Sequence, residues 1–168
     1  MKKVLAVLLA ALILAGCKQE TVHSGTEGFI TQFEKDDRLL IGDVIYEIDH
    51  DTQIQTEDGD RLKKKDLKLG MKIKPFYEGK KEQVFPSRAH AKLLLIQNDP
   101  ESLKETSMII NVLRQLRHNE DEHFIITKMV HKDDEDAYIM NVMRRSNVDI
   151  GSTITVDEHS YEILYMEA

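Results

Sequence analysis

The chain has 168 residues, 41% of them apolar, and a formal net charge of −7, which suits one globular domain or two small ones. This acidic balance argues against a nucleic-acid partner, because binding to phosphate backbones depends on an excess of Lys and Arg. The single cysteine, Cys17, leaves the rest of the chain without a thiol for a disulfide, a cysteine-based metal site or a cysteine nucleophile.

Residues 1–17 have the features of an export signal. Two lysines precede an unbroken apolar run over residues 4–14, and 11 apolar residues are too few to span about 30 Å of bilayer hydrocarbon. The residues that follow, Leu14-Ala15-Gly16-Cys17, resemble the bacterial lipobox. This resemblance implies a signal peptide over 1–16, a diacylglyceryl thioether on Cys17, and a lipid anchor in the cell membrane on its extracytoplasmic face. The alternative is an ordinary secretory signal with an unrelated cysteine.

Residues 18–27 are polar and lack apolar periodicity, so residues 17–27 are predicted to be the lipidated cysteine and a flexible tether. Apolar alternation and turn residues then predict strands over 29–33, 39–48, 52–55, 71–77 and 88–96. A short helix is predicted over 64–69, with Gly70 ending it in a left-handed conformation. Three strands, a short helix and two strands are the order of a small OB-like β-barrel.

Three segments in this part of the chain carry a family resemblance: Gly28-Phe29-Ile30, the run DLKLGMKIK over 66–74, and FPSRAHA over 85–91. They resemble the OB-like domains of unknown function in lipoproteins of Bacillus-type bacteria, in which a DLKxGxxV turn precedes a YPAQA segment. The resemblance covers roughly residues 28–98. It implies an OB-like fold and no particular reaction.

A helix is predicted after Asp99, because a capping aspartate is followed by proline at the first helical position. Its end is placed at Asn119. Apolar residues at three- and four-residue steps predict a buried stripe made of Leu103, Ile109, Ile110, Leu113 and Leu116. The cations near its end, Arg114, Arg117 and His118, complement the helix dipole.

Four antiparallel strands are predicted after the helix, over 124–130, 137–144, 152–156 and 161–166. The predicted fold is therefore mostly β with one main helix (α+β). A small OB-like β-barrel over 28–98 is followed by a helix plus antiparallel sheet over 99–168.

Residues 118–123 place two imidazoles and three carboxylates close together in sequence. No HExxH or similar spacing fixes a zinc geometry there, so a charged connection between helix and strand is preferred. The acidic run 133–136 lacks the twelve-residue calcium loop and is predicted to be a hairpin turn. Asp49-His50-Asp51 pairs an imidazole with carboxylates, as acid–base sites do, but contains no nucleophile. With no hydrolase or nucleotide-binding motif, we expect no enzymatic activity, cofactor or metal.

Charge is unevenly distributed along the chain. Residues 61–81 contain nine cations and two carboxylates, a local charge of +7, whereas residues 27–60 contain eleven carboxylates and two cations. The predicted binding residues are Lys63, Lys64, Lys65, Lys68 and Lys72. The expected partners are anionic lipid headgroups, wall polyanions or an envelope protein. The alternative is a solvated face without a partner.

The sequence as a whole predicts a membrane-anchored extracytoplasmic lipoprotein that acts as a non-catalytic binding module at the cell envelope. The alternative function is an envelope enzyme or a metal-dependent accessory factor. That alternative would use His118, Glu120, Glu122 and His123.

Overall fold

The computed structural model describes residues 21–119 and 121–167. Strands make up 53% of the described residues and helical residues 14%, with one α-helix and two sheets among them. The prediction of a mostly β protein with one main helix is therefore confirmed. The signal region and Cys17 lie outside the described residues. No helix in the described part of the chain is long and apolar enough to cross a membrane.

The first sheet contains seven strands. They are β1 (Val22–Ser24), β2 (Gly28–Glu34), β3 (Arg38–Ile41), β4 (Val44–Glu47), β5 (Gln53–Thr56), β6 (Lys72–Glu82) and β7 (Ser87–Ile96). Their order in the sheet is β1-β6-β2-β3-β4-β7-β5, with a further pairing between β6 and β7. All pairings are antiparallel except those of β7 with β4 and with β5. A 3-10 helix over Lys64–Asp66 lies between β5 and β6.

The second unit consists of helix α1 (Pro100–Leu116) and a four-stranded antiparallel sheet in the order β11-β10-β9-β8. Its strands are β8 (Phe124–Lys132), β9 (Ala137–Arg144), β10 (Asn147–Asp157) and β11 (Ile163–Glu167). This agrees with the predicted helix plus antiparallel sheet.

A closed OB-like barrel is not confirmed. The strands β2 and β6 share only two paired positions, Gly28 with Ile73 and Phe29 with Lys72. Because β2 and β6 share so few backbone pairings, the strands do not close into a continuous barrel between them.

In the N-terminal half, β6 (Lys72–Glu82) continues beyond the predicted end at residue 77, and two further segments differ from the prediction. Residues Val22–Ser24, assigned to the flexible tether, form β1 and pair with β6 from Glu78 to Phe76. The strand predicted over 39–48 is divided into β3 and β4 by a tight turn at Gly42-Asp43. Both differences arise from pairing with other strands, which overrides a local polar or apolar pattern.

The left-handed glycine predicted after the short helix is confirmed, since Gly70 has a φ of +82°. The prediction that Gly70 ends the helix is wrong, because only Lys64–Asp66 is helical and the cap is Leu67. A Cβ at position 70 would lie 2.9 Å from the carbonyl oxygen of Thr106 and 2.7 Å from Cγ1 of Ile110. Glycine therefore also allows this loop to pack closely against α1.

The start of α1 is as predicted. The Asp99 carboxylate accepts hydrogen bonds from the backbone N–H groups of Glu101 at 3.0 Å and Ser102 at 3.1 Å. Hydrogen bonding from the side chain and the backbone N–H of Ser102, together with the backbone N–H of Glu101, lowers the pKa of Asp99. The helix ends at Leu116 rather than at Asn119.

The predicted buried stripe of α1 is partly wrong. Leu103 is 54% exposed and Ile110 is 37% exposed. They lie seven residues apart and so share one side of the helix. The second sheet covers a different side, whose buried apolar residues are Met108, Ile109, Val112, Leu113 and Leu116.

The two sheets are joined by apolar and ionic contacts. Phe29 of β2 belongs to the core cluster around α1, and Leu40, Ile45 and Ile125 form a small cluster between the sheets. Among the polar contacts, the guanidinium group of Arg145 pairs with the Glu34 carboxylate. These contacts hold the second unit against the first sheet.

Candidate functional site

The five lysines predicted to bind a partner do not form one surface. Lys63, Lys65 and Lys68 are exposed, and within the described ranges no carboxylate forms an ion pair with them. The ammonium group of Lys64 pairs with Asp37, in the turn between β2 and β3. Lys64 is therefore partly neutralised.

Lys72 is a structural residue, which corrects its assignment to the binding set. Its ammonium group lies 2.6 Å from Glu105 Oε2 and 3.2 Å from Glu27 Oε1, and its side chain is 19% exposed. Burial disfavours the charged ammonium, but hydrogen bonds and charge from Glu105 and Glu27 outweigh it and raise the pKa of Lys72. Lys72 therefore connects β6 to α1, and its positive charge is compensated by two carboxylates.

Three further cations of the basic stretch, Lys74, Lys80 and Lys81, lie farther along β6. Lys80 and Lys81 are exposed near the end of that strand, and Lys81 Nζ lies 5.6 Å from the centroid of the Tyr77 ring. A strand advances about 3.3 Å per residue, so the nine residues from Lys72 to Lys81 span roughly 30 Å. The local charge of +7 is thus divided between distant places.

A groove lies between the loop that follows the 3-10 helix and the C-terminal half of α1. It has a volume of about 450 Å³. Its apolar wall consists of Leu69, Ile110 and Leu113, and its polar rim of Arg114, Arg117, His118 and Asn119. Leu69 directly follows Lys68, so the exposed lysines begin at the edge of this groove.

The two arginines of the rim have neutral partners. Arg117 Nη2 donates to the carbonyl oxygen of Thr31 at 3.4 Å, and its Nε is buried without a partner. Arg114 Nη1 donates to Asn111 Oδ1 at 3.1 Å. Neither guanidinium forms an ion pair with a carboxylate of residues 21–119 or 121–167. The groove therefore combines an apolar wall with two uncompensated positive charges.

This groove was not identified from the sequence, which assigned Arg114, Arg117 and His118 to the helix dipole. A local signal was nevertheless present, because Ile110, Leu113, Arg114 and Arg117 recur at three- and four-residue steps and share one side of α1. The opposing Leu69 could not be found in this way.

The described residues of the histidine-rich segment have separate surroundings. Glu122 accepts a hydrogen bond at 2.9 Å from the backbone N–H of His118, and its other oxygen pairs with Arg144. His118 lines the groove, whereas His123 lines a separate cleft beside β2. Burial, with a smaller contribution from Arg117, lowers the pKa of His123. Glu120, the remaining member of the alternative, lies outside the described residues.

Comparison with protein-family models, with curated proteins and with solved structures gave no match. The groove and the exposed lysines beside it are therefore the basis for assigning a function.

Proposed function

We propose that this protein is a lipoprotein of the cell envelope, held on the extracytoplasmic face of the membrane by lipid on Cys17. In this proposal its body binds an anionic ligand and catalyses no reaction. Support for the anchor comes from the lysines, apolar run and lipobox-like residues at the start of the sequence. Support for a binding role comes from the cationic groove.

We also propose that the first sheet is a partly open OB-like barrel over residues 28–98. The order β6-β2-β3-β4-β7, together with the pairing of β6 with β7, supports this arrangement. OB-folds are five-stranded, partly open barrels. The two paired positions between β2 and β6 are compatible with an opening on that side.

The observation that carries the proposed ligand class is the charge around the groove. Arg114 and Arg117 flank an apolar wall, and Lys68 lies at its edge. Guanidinium groups bind phosphate through two parallel hydrogen bonds, and each Lys or Arg near an anionic surface contributes about 1 kcal/mol. The ligand we propose therefore carries phosphate groups, as anionic lipid headgroups and phosphate-rich wall polymers do.

The position of the first strand favours such contacts. Val22, the first residue of β1, follows Cys17 by five residues, which span at most about 18 Å of extended chain. A body held this close to the membrane meets envelope ligands at high effective concentration. A weak intrinsic affinity therefore suffices.

The anchor is tested by Cys17→Ala. We expect an uncleaved or shed product without lipid, because no other residue supplies a thiol for the thioether. Cell fractionation and mass spectrometry of the product measure this. Ser24→Ala, an exposed position beyond the signal, is the control and should remain membrane-bound. Membrane retention of Cys17→Ala at the wild-type level and at the mature mass would contradict the proposal.

The ligand is tested with residues 18–168, which include every described strand and helix. Replacing Lys63, Lys65 and Lys68 with Gln should lower the affinity for anionic vesicles or wall polymer about 100-fold, as expected for roughly 3 kcal/mol. Sedimentation with vesicles of anionic lipid and with purified wall polymer distinguishes the two sources. Wild-type binding should also weaken steeply with salt.

The matched control replaces Lys74, Lys80 and Lys81 with Gln, which removes the same charge from exposed positions elsewhere. It should retain most of the binding. Equal losses in the two triple variants would show that only net charge matters, and the groove would lose its assigned role. If the wild type binds neither the anionic vesicles nor the wall polymer at low salt, the proposal is also refuted.

A further inference from the structure

The hairpin tip between β6 and β7, residues 83–86, exposes two neighbouring apolar side chains. Val84 is 51% exposed and Phe85 is 48% exposed. The other residues of the hairpin tip are Gln83 and Pro86, so the tip carries no charge. Single apolar residues scattered over a surface are ordinary, and the meaning of this adjacent pair therefore depends on where the fold places it.

The first strand begins at the same end of the sheet as the hairpin tip. β1 is antiparallel to β6, with Val22 opposite Glu78 and Ser24 opposite Phe76. β6 starts at Lys72 and runs toward the hairpin tip. β1 therefore starts on the side of the tip and runs away from it.

The lengths of chain on the two sides are equal. Glu78, which is opposite Val22, also pairs with His90 of β7. Phe85 precedes His90 by five residues, and Cys17 precedes Val22 by five residues. Five residues span at most about 18 Å. Cys17 and Phe85 are therefore within the same reach of one level of the first sheet, so a bilayer that holds lipid on Cys17 is close enough for the hairpin tip to touch.

The charges beside the hairpin tip are compatible with a membrane surface. Glu82 is the one carboxylate of residues 79–88, and its Oε2 lies 4.0 Å from Arg88 Nη1. Lys80 and Lys81 are exposed on β6, behind the apolar pair. The hairpin thus presents apolar side chains in front and cations behind them, as segments that bind at membrane interfaces do.

A bilayer fits the hairpin tip better than a protein partner does. A stable protein interface uses about 20–30 residues on each side, whereas the tip offers two apolar side chains. Apolar side chains enter the boundary between headgroups and acyl chains to a depth of roughly 5–10 Å, and this boundary has no fixed shape to match. We propose that Val84 and Phe85 insert into the bilayer that carries the lipid anchor. This inference rests on the anchor proposed above and is independent of the groove.

Insertion of the hairpin tip orients the anchored body and does not hold it by itself. Even one myristoyl chain gives only marginal membrane binding, and two side chains bury less apolar surface. The lipid on Cys17 makes the contact intramolecular, so a weak contact suffices. Residues 18–168 without lipid should gain little from the hairpin tip, and the comparison of lysine variants described above is therefore unaffected.

The test uses the lipidated full chain in vesicles of phosphatidylcholine, which carries no net charge and so does not engage the cationic groove. The chain contains no tryptophan, so Phe85→Trp introduces a single fluorophore at the hairpin tip. We expect brominated acyl chains to quench its emission about twofold or more, because the side chain reaches the acyl boundary. Adding Val84→Asp should abolish the quenching while the protein stays with the vesicles. Quenching that persists in this double variant would overturn the proposal.

The matched control is Leu103→Trp, at a position of α1 that is 54% exposed. Leu103 precedes Glu105 by two residues, and the partner of Glu105 is Lys72, at the opposite end of β6 from the hairpin tip. Its emission should not be quenched. Equal quenching of the two tryptophan variants, or no quenching of Phe85→Trp in chains that float with the vesicles, would overturn the insertion and leave the anchor standing. If the lipidated chain does not float with the vesicles, the anchor and the insertion are both refuted.

Discussion

Ile109→Asp is expected to unfold most of the protein at room temperature. Ile109 is 0% exposed and lies in the apolar cluster between α1 and the second sheet. Burying a carboxylate there without a partner costs about 5 kcal/mol or more, which is comparable with the 5–15 kcal/mol that stabilises a typical domain. Urea denaturation followed by circular dichroism measures the loss of folding free energy.

The matched control is Leu103→Asp on the same helix. Leu103 is 54% exposed, so its substitution should change the free energy of unfolding by less than about 1 kcal/mol. A folded Ile109→Asp variant with wild-type stability would show that the buried side of α1 is wrongly assigned. A Leu103→Asp variant as unstable as Ile109→Asp would show the same.

Lys72→Gln is expected to lower the free energy of unfolding by about 3 kcal/mol, because it leaves the Glu105 carboxylate without its cation. The Glu105 side chain is only 7% exposed, and its ion-pair partner is Lys72. Lys68→Gln, at an exposed position of the same basic stretch, should change the stability by less than about 0.5 kcal/mol. Urea denaturation of both variants makes the comparison.

The double variant Lys72→Gln/Glu105→Gln isolates the cause. Removing both charges should recover at least half of the stability lost in Lys72→Gln, since no buried charge then remains unpaired. A Lys72→Gln variant that keeps wild-type stability but loses affinity for anionic vesicles would instead return Lys72 to the binding surface.

The contrast between Lys68 and Lys72 shows that a charge pattern along the sequence does not predict which cations form ion pairs. In the sequence, Lys68 and Lys72 belong to one basic stretch, and both were predicted to bind a partner. In the structure, Lys68 is exposed and Lys72 is held by two carboxylates from other segments. Ion pairing between distant residues depends on which elements pack together, and charge counts along the chain do not contain that information.

Local features were determined by the sequence alone. The start of α1 follows from Asp99 and Pro100, because a capping side chain bonds to backbone groups only two or three residues away. The left-handed Gly70 and the exact bounds of β9 are local in the same sense, since they depend on backbone preference and on alternation within a few residues. The proposed export signal and the proposed lipidation of Cys17 also rest on contiguous residues.

Tertiary packing decided the features that join distant segments. Leu69 meets Ile110 in the groove, Lys72 meets Glu105, and His90 meets Asp49, each across more than thirty residues. The last contact exists because β7 lies parallel to β4, a neighbour relationship that periodicity within either strand cannot specify. The exposed side of α1 was set in the same way. The spacing of apolar residues along α1 does not show which side of the helix will be covered. The second sheet covers only part of its circumference.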